Sequence, residues 1–234
     1  QELICSYIDK IYQLSNNNNK NKIKKKKTKQ KEILYAHSNG FFYRTQNSFE
    51  TPMKPTTFAM TLRKYISNGR ITEIIQHEFD RIIKIKIQKR EEFTLLFELI
   101  PNGNIMLLNQ NQKIITPLKH QEWSQRSIRT RLLYQPPTSQ VNPFRLSEKE
   151  CDQLIQESDA DLVRTVAVKL SLGGRYAEEF CSHLHISKDI PAKNLTEKQR
   201  QLLFKELQSF LQRFENHQFN PTLVIDEHKK EMTP

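Results

Sequence analysis

Only five glycines occur among 234 residues, and with ten prolines they exclude a collagen-like or linker composition. No apolar run approaches the roughly 20 residues of a membrane-spanning helix, so a soluble protein with no membrane partner is expected. The three cysteines, Cys5, Cys151 and Cys181, are odd in number and widely spaced. That excludes a disulfide framework and the close pairing of zinc or redox motifs, and it reads as free, mostly buried thiols in a reducing, cytoplasmic setting. The opening "QELICSYIDK" lacks the basic start, apolar middle and small-residue cleavage site of a secretory signal, and the missing initiator Met points to a start further upstream.

Catalytic signatures are also missing. No nucleophile elbow, P-loop or dinucleotide fingerprint occurs. Glu178 and Glu179 are adjacent on a predicted helix, so their side chains point about 100° apart and do not form an acid–base pair. Of seven histidines only His183 and His185 are close, and an H-x-H pair without a third ligand nearby nominates no metal. The expectation is no enzyme, no cofactor and no metal site.

What the sequence has in excess is positive charge. A net +11 favours a polyanionic partner, because clustered Lys and Arg release counterions when they neutralise phosphates. Eight of those charges, Lys20, Lys22, Lys24, Lys25, Lys26, Lys27, Lys29 and Lys31, fall in one low-complexity run. With little to bury and strong self-repulsion, residues 15–31 are expected to form a disordered loop, either gripping RNA or merely solvated.

Hydrophobic pattern divides the rest. "YIDKIYQL" reads as the end of a helix running into a strand, and "EILYAHSNGFFYRT" as two strands around an Asn-Gly turn. In that hairpin Phe41, Phe42 and Tyr43 read as core or cross-strand pairs, with base stacking as the other reading. "PTTFAMTLRKYISNG" predicts a Thr-capped helix ending at Gly69, with Arg63, Lys64 and Arg70 in or just beyond its last turns. From Ile71 to Thr116 the period falls to two, which predicts an antiparallel meander. After the proline-bearing "YQPPTSQVNPF" the pattern turns helical. "SEKE" at 147–150 and "TEKQ" at 196–199 match the capping box, and Gly173-Gly174 breaks two helices into a helix–hairpin–helix. That break is either an interhelix turn or, with Arg175, a phosphate-binding hairpin.

The fold class is therefore α+β: a β-rich domain over 1–135, an all-α helix–hairpin–helix domain over 145–218, and an unfinished strand segment at 219–234. At the head of the meander, Asp80 and Arg81 sit side by side after "GRITEIIQHEF". Taken alone they read as a turn Asp and a strand-edge Arg pairing across the sheet.

Several stretches together change that reading. "PTTFAMTLRKYISNGRITEIIQHEFDRIIKIKI", "IDKIYQ" at 8–13, "IPNGNIMLLN" at 100–109, "YQPP" at 134–137 and "LGGRYAEE" at 172–179 resemble, in family order, the NFACT proteins (NEMF, FbpA and Caliban, and archaeal-type RqcH). The resemblance implies an N-terminal domain with a fold like that of formamidopyrimidine-DNA glycosylases. It also implies a ribosome-associated quality control role: binding a large ribosomal subunit that carries peptidyl-tRNA, and recruiting tRNA for untemplated C-terminal tailing. The family's Asp-Arg pair falls on Asp80 and Arg81, implying tRNA contact, with Arg63, Lys64 and Arg70 as supporting cations. The alternative is a DNA-glycosylase-like nucleic-acid-binding domain or enzyme, against which Gln1-Glu2 offers no N-terminal proline nucleophile. A third reading, a fibronectin-binding adhesin, conflicts with the absent signal. The family's early acidic residue, coiled coil and C-terminal RNA-binding domain have no match in these residues.

Overall fold

The structure is a computed structural model that describes residues 3–14, 20–27, 30–37, 40–47, 49–137 and 141–218. The chain divides into two compact units, Gln1–Ser139 and Gln140–Pro234.

The first unit is one nine-stranded antiparallel sheet with a helix on one face. Its strands are β1 (Tyr7–Leu14), β2 (Lys20–Lys27), β3 (Gln30–His37), β4 (Phe41–Thr45), β5 (Arg70–Gln76), β6 (Ile82–Gln88), β7 (Glu92–Glu98), β8 (Ile105–Leu108) and β9 (Ile114–Pro117). They lie in the order β4-β3-β2-β1-β5-β6-β7-β8-β9. The meander expected from Ile71 onward is β5 to β9, paired consecutively. β1 is strand throughout Tyr7–Leu14, and Leu3–Cys5 form a turn, not a helix end.

The lysine-rich run differs from expectation. The backbone of Lys20–Lys27 is a strand, paired with β1 on one side and β3 on the other. Ile23 stands opposite both Ile11 and Leu34 in register. Ladder hydrogen bonds satisfy a backbone whatever side chains it carries, and a reading based on charge and burial has no access to them. Residues 15–19, 28 and 29 of the expected loop lie outside the described residues.

Helix α1 (Thr57–Ile66) starts where Thr56 accepts a hydrogen bond from the Ala59 backbone N–H at 3.2 Å. It buries Phe58, Ala59, Leu62 and Ile66 against a sheet face carrying Ile8, Ile85, Leu95 and Phe97. At its end the left-handed conformation falls on Asn68 (φ 58°). Gly69 serves space instead: a Cβ there would stand 2.4 Å from Ile87 Cγ2.

Strand alternation gives the other sheet face its own cluster, including Ile82, Leu96, Met106, Ile128 and Tyr134. The two-stranded ribbon β10 (Gln121–Glu122) and β11 (Ser127–Ile128) belongs to the segment that supplies this layer. One polar network anchors it. Glu98, fully buried, accepts two hydrogen bonds from Arg126, at 2.8 and 2.9 Å, and one from the Tyr134 hydroxyl at 2.9 Å. The Arg126 guanidinium also donates to the Gln135 carbonyl and lies 4.6 Å from the Trp123 ring centroid. Burial, then the Glu98 charge, push the Tyr134 phenol well above its usual range.

The second unit carries α2 (Glu148–Gln156), α3 (Leu162–Val168), α4 (Gly174–Leu184) and α5 (Glu197–Glu215). Both expected capping boxes form, Ser147 with Glu150 and Thr196 with Gln199. The Ser147 hydroxyl and backbone N–H hold the Glu150 carboxyl below its ordinary value. The core gathers Cys151, Ile155, Val166, Phe180, Cys181 and Leu207. Tyr176, Phe180, Phe210 and Phe214 form an edge-to-face aromatic run between α4 and α5.

Candidate nucleic-acid interface

Asp80 and Arg81 close the connection between β5 and β6. The His77 N–H donates to the Ile82 carbonyl and the Asp80 N–H to the His77 carbonyl, at 2.9 and 3.0 Å. Glu78 takes a left-handed φ of 46° to make the turn. The Gln76 amide holds the Asp80 carbonyl at 3.1 Å, and the Leu99 N–H holds the Arg81 carbonyl at 2.8 Å. Both main-chain carbonyls are thus pinned, one to β5 and one to the residue that follows β7.

The side chains go opposite ways. Asp80 is only 8% exposed, and its Oδ2 is buried with no hydrogen-bond partner. Arg81 is exposed and, among the described residues, makes no ion pair. The two are therefore not a salt bridge, nor does Arg81 pair across the sheet as the turn-and-edge reading had it. Arg81 Nη1 comes within 3.9 Å of where a Cβ on Gly40 would stand. The tip of the β3–β4 hairpin is therefore its neighbour. Nothing local in the sequence signals that proximity between positions so far apart.

The other three expected cations stand elsewhere. Arg63 is half-buried, donates through Nε to the Ile11 carbonyl at 2.8 Å and lies 4.9 Å from the Tyr12 ring centroid. Lys64 is exposed on the last turn of α1. Arg70 opens β5, exposed, with Nη2 3.1 Å from Cys5 Sγ. A seven-residue strand separates Arg70 from the Asp80 turn by about 20 Å. The structure thus sets Asp80 and Arg81 at one end of β5 and Arg70 at the other, while Arg63 and Lys64 stand on α1, Arg63 against the Ile11 and Tyr12 stretch of β1.

Two features of this unit escaped the residue-level reading. Lys84 Nζ lies 3.4 Å from His77 Nδ1, just beyond the turn, and burial lowers the Lys84 pKa. The aromatic triplet splits by face: Phe42 packs edge-on against Phe97 with centroids 5.1 Å apart, while Phe41 and Tyr43 are exposed. The period-two rule applied to β4 alone gives that split.

In the helical unit Gly173 caps α4 with φ 74° and no side-chain cap, and its N–H donates to the Ala167 carbonyl at 3.0 Å. A Cβ on either Gly173 or Gly174 would meet nothing within 4 Å, and Arg175 follows on the first exposed turn. Arg175 and Gly174 border a depression of about 560 Å³ that also carries Arg164, Lys188, Glu178 and Asp189.

Comparison with known proteins sets this geometry in a lineage. The "Archaeal Rqc2 homolog aRqcH" of Methanocaldococcus jannaschii is 30% identical over 240 residues, which is 98% of this chain and 35% of that protein. The "Rqc2 homolog RqcH" of Streptococcus suis is 33% identical over 172 residues, 68% of this chain and 31% of that protein. The chain thus spans about a third of the length of these curated relatives. Among solved structures, the N-terminal part of the fibronectin/fibrinogen-binding protein of Streptococcus suis superposes with a TM-score of 0.67 at 26% identity, over 96% of this chain and 82% of that one. Residues 1–234 match the family described as NFACT N-terminal and middle domains, and the chain belongs to that family.

Proposed function

We propose that this chain is the RNA-facing N-terminal part of a cytoplasmic ribosome-associated quality control factor. It binds the large ribosomal subunit with its peptidyl-tRNA and recruits tRNA for untemplated C-terminal tailing of stalled chains. Relatives at 30% identity or more carry Rqc2 names, which supports this reading over a DNA-glycosylase-like one. Peptide bond formation belongs to the ribosome, and no catalytic residue is assigned here.

The observation that carries the proposal is the Asp80–Arg81 turn. An exposed guanidinium with no partner among the described residues, on a backbone held at both carbonyls, is preorganised for a phosphate or a base. Asp80 acts beneath it: a buried carboxylate oxygen without a donor is costly in a resting protein and is relieved when a donor reaches the turn. Lys64, on the last turn of α1, and Arg70, at the other end of β5, supply phosphate contacts, and Arg63 fixes α1 to β1. In the second unit a helix–hairpin–helix reading assigns a backbone phosphate to Gly173, Gly174 and Arg175.

The test is co-sedimentation of the full-length protein with large subunits, followed by sequencing of the bound tRNA. Arg81→Ala and Asp80→Ala are expected to lower recovered tRNA about tenfold while subunit association persists. Unchanged tRNA recovery removes the assignment to this turn. Absence of subunit association in the wild type sinks the function itself.

A further inference from the structure

We propose that the outer face of the β3–β4 hairpin is a base-stacking platform for single-stranded RNA, with Phe41 and Tyr43 as its contact rings. The proposal rests on the reading above for the identity of the polymer, and it adds a second, separately testable contact.

The platform follows from register. Tyr43 stands opposite Tyr35 and Phe41 opposite His37, so these four share one face while Phe42 turns into the core. Phe49 stacks on Tyr35 with centroids 5.0 Å apart and planes at 28°, and Tyr35 meets Tyr43 at 4.9 Å. The His37 and Phe41 rings lie edge to face at 6.1 Å. The stack has a buried base and an open top, since Tyr35 is 6% exposed, Tyr43 44% and Phe41 63%. The two open rings alternate along one strand, about 7 Å apart, each backed by a second ring that fixes its orientation.

Charge selects the occupant. Six of the eight residues of β2 are lysine, and Lys20 and Lys22 stand directly across from His37 and Tyr35 in the ladder. Arg81 lies beside Gly40, the residue before Phe41. With lysine positions across the ladder and Arg81 beside Gly40, rings on this face suit a polyanion whose bases have free faces. A duplex offers phosphates but keeps its base faces stacked within the helix, so it has no use for the rings.

The experiment titrates a fluorescein-labelled 12-nucleotide oligouridine, and separately a blunt RNA duplex of the same length, into the chain and follows anisotropy at several salt concentrations. Variants are Phe41→Leu, Tyr43→Leu and the double. Leucine keeps apolar bulk on the strand and removes the stacking face. The double variant is expected to bind the single strand roughly 10- to 100-fold more weakly, with duplex affinity and the salt slope unchanged. Single-strand affinity within twofold of wild type, in a variant with unaltered far-ultraviolet dichroism, overturns the platform and leaves the Asp80–Arg81 assignment standing. An equal loss on the duplex also overturns it, because base faces are then not the contact. No binding of either RNA by the wild type overturns both. If the double variant unfolds, Phe41→Leu alone decides, since Phe41 is the most exposed ring of the set.

Discussion

Arg126→Ala is expected to cost the β-rich unit about 3–5 kcal/mol, the range for removing one partner of a buried ion pair. Glu98 has no exposed surface and the Arg126 side chain only 12%, so water does not compensate the stranded carboxylate. Among the described residues the Tyr134 hydroxyl is its one remaining donor, too little to replace a two-pronged guanidinium. The cost is that of an orphaned charge more than of a lost attraction, and this distinction is measurable. Replacing all three groups with apolar ones, Glu98→Leu with Arg126→Met and Tyr134→Phe, should recover most of the loss, because no buried charge is left. Trp123, the only tryptophan in the sequence, lies against Arg126 and reports on this unit in urea titrations. A shift below about 1 kcal/mol for Arg126→Ala would show that Glu98 finds another partner.

Phe180→Ala should cost the helical unit about 3–5 kcal/mol, through lost apolar burial and the cavity left behind. Phe180 is 1% exposed and meets Phe210 edge-on at 5.8 Å in the middle of the aromatic run. The unit carries its own probe in Cys151 and Cys181. Burial, with nearby acidic groups, pushes these thiols up to about 12 and about 11, whereas Cys5 is exposed. Since the thiolate is the nucleophile, native wild-type protein at pH 8 should release one fast equivalent with a thiol reagent, and three after denaturation. Phe180→Ala should add the two slow equivalents under native conditions while the Trp123 signal holds. One equivalent still, with an unmoved unfolding midpoint, would contradict this. The same thiols set a pH trend. They keep protons when folded that they release when unfolded from about pH 8.5, so the unit loses stability as pH rises above that value.

Much of this fold was legible because its causes are local. A Ser or Thr three positions before a Glu or Gln caps a helix wherever it stands, and both boxes formed as written. Period-two segments from Ile71 onward became consecutive strands for the same reason. The failures share one origin, which is partners distant in sequence. Lys20–Lys27 became a strand because β1 and β3 supply its ladder. Arg63, on the helix end, turned out to be engaged by the Ile11 carbonyl, 52 positions away. At the candidate site the residue types and the turn were readable, but the burial of Asp80, the exposure of Arg81 and the nearness of Gly40 were not. Those depend on where the hairpin of β3 and β4 comes to rest.

The sheet order has a kinetic consequence. Seven of the eight strand junctions join neighbours in chain order; at the eighth, β1 meets β5 through the single registered pair Tyr7 and Arg70. Four backbone hydrogen bonds support that junction, among them Ile8 N–H to the Gly69 carbonyl and Ile71 N–H to the Ser6 carbonyl. Hairpins between successive strands close early, whereas a contact spanning about 60 residues waits on loop closure. In pulse-labelled hydrogen exchange, the Ile8 and Ile71 amides should gain protection after those within β6 and β7; simultaneous protection would refute that order. The sheet is thus two meanders that mature separately and are sewn together last, with α1 carried on the connection that must close.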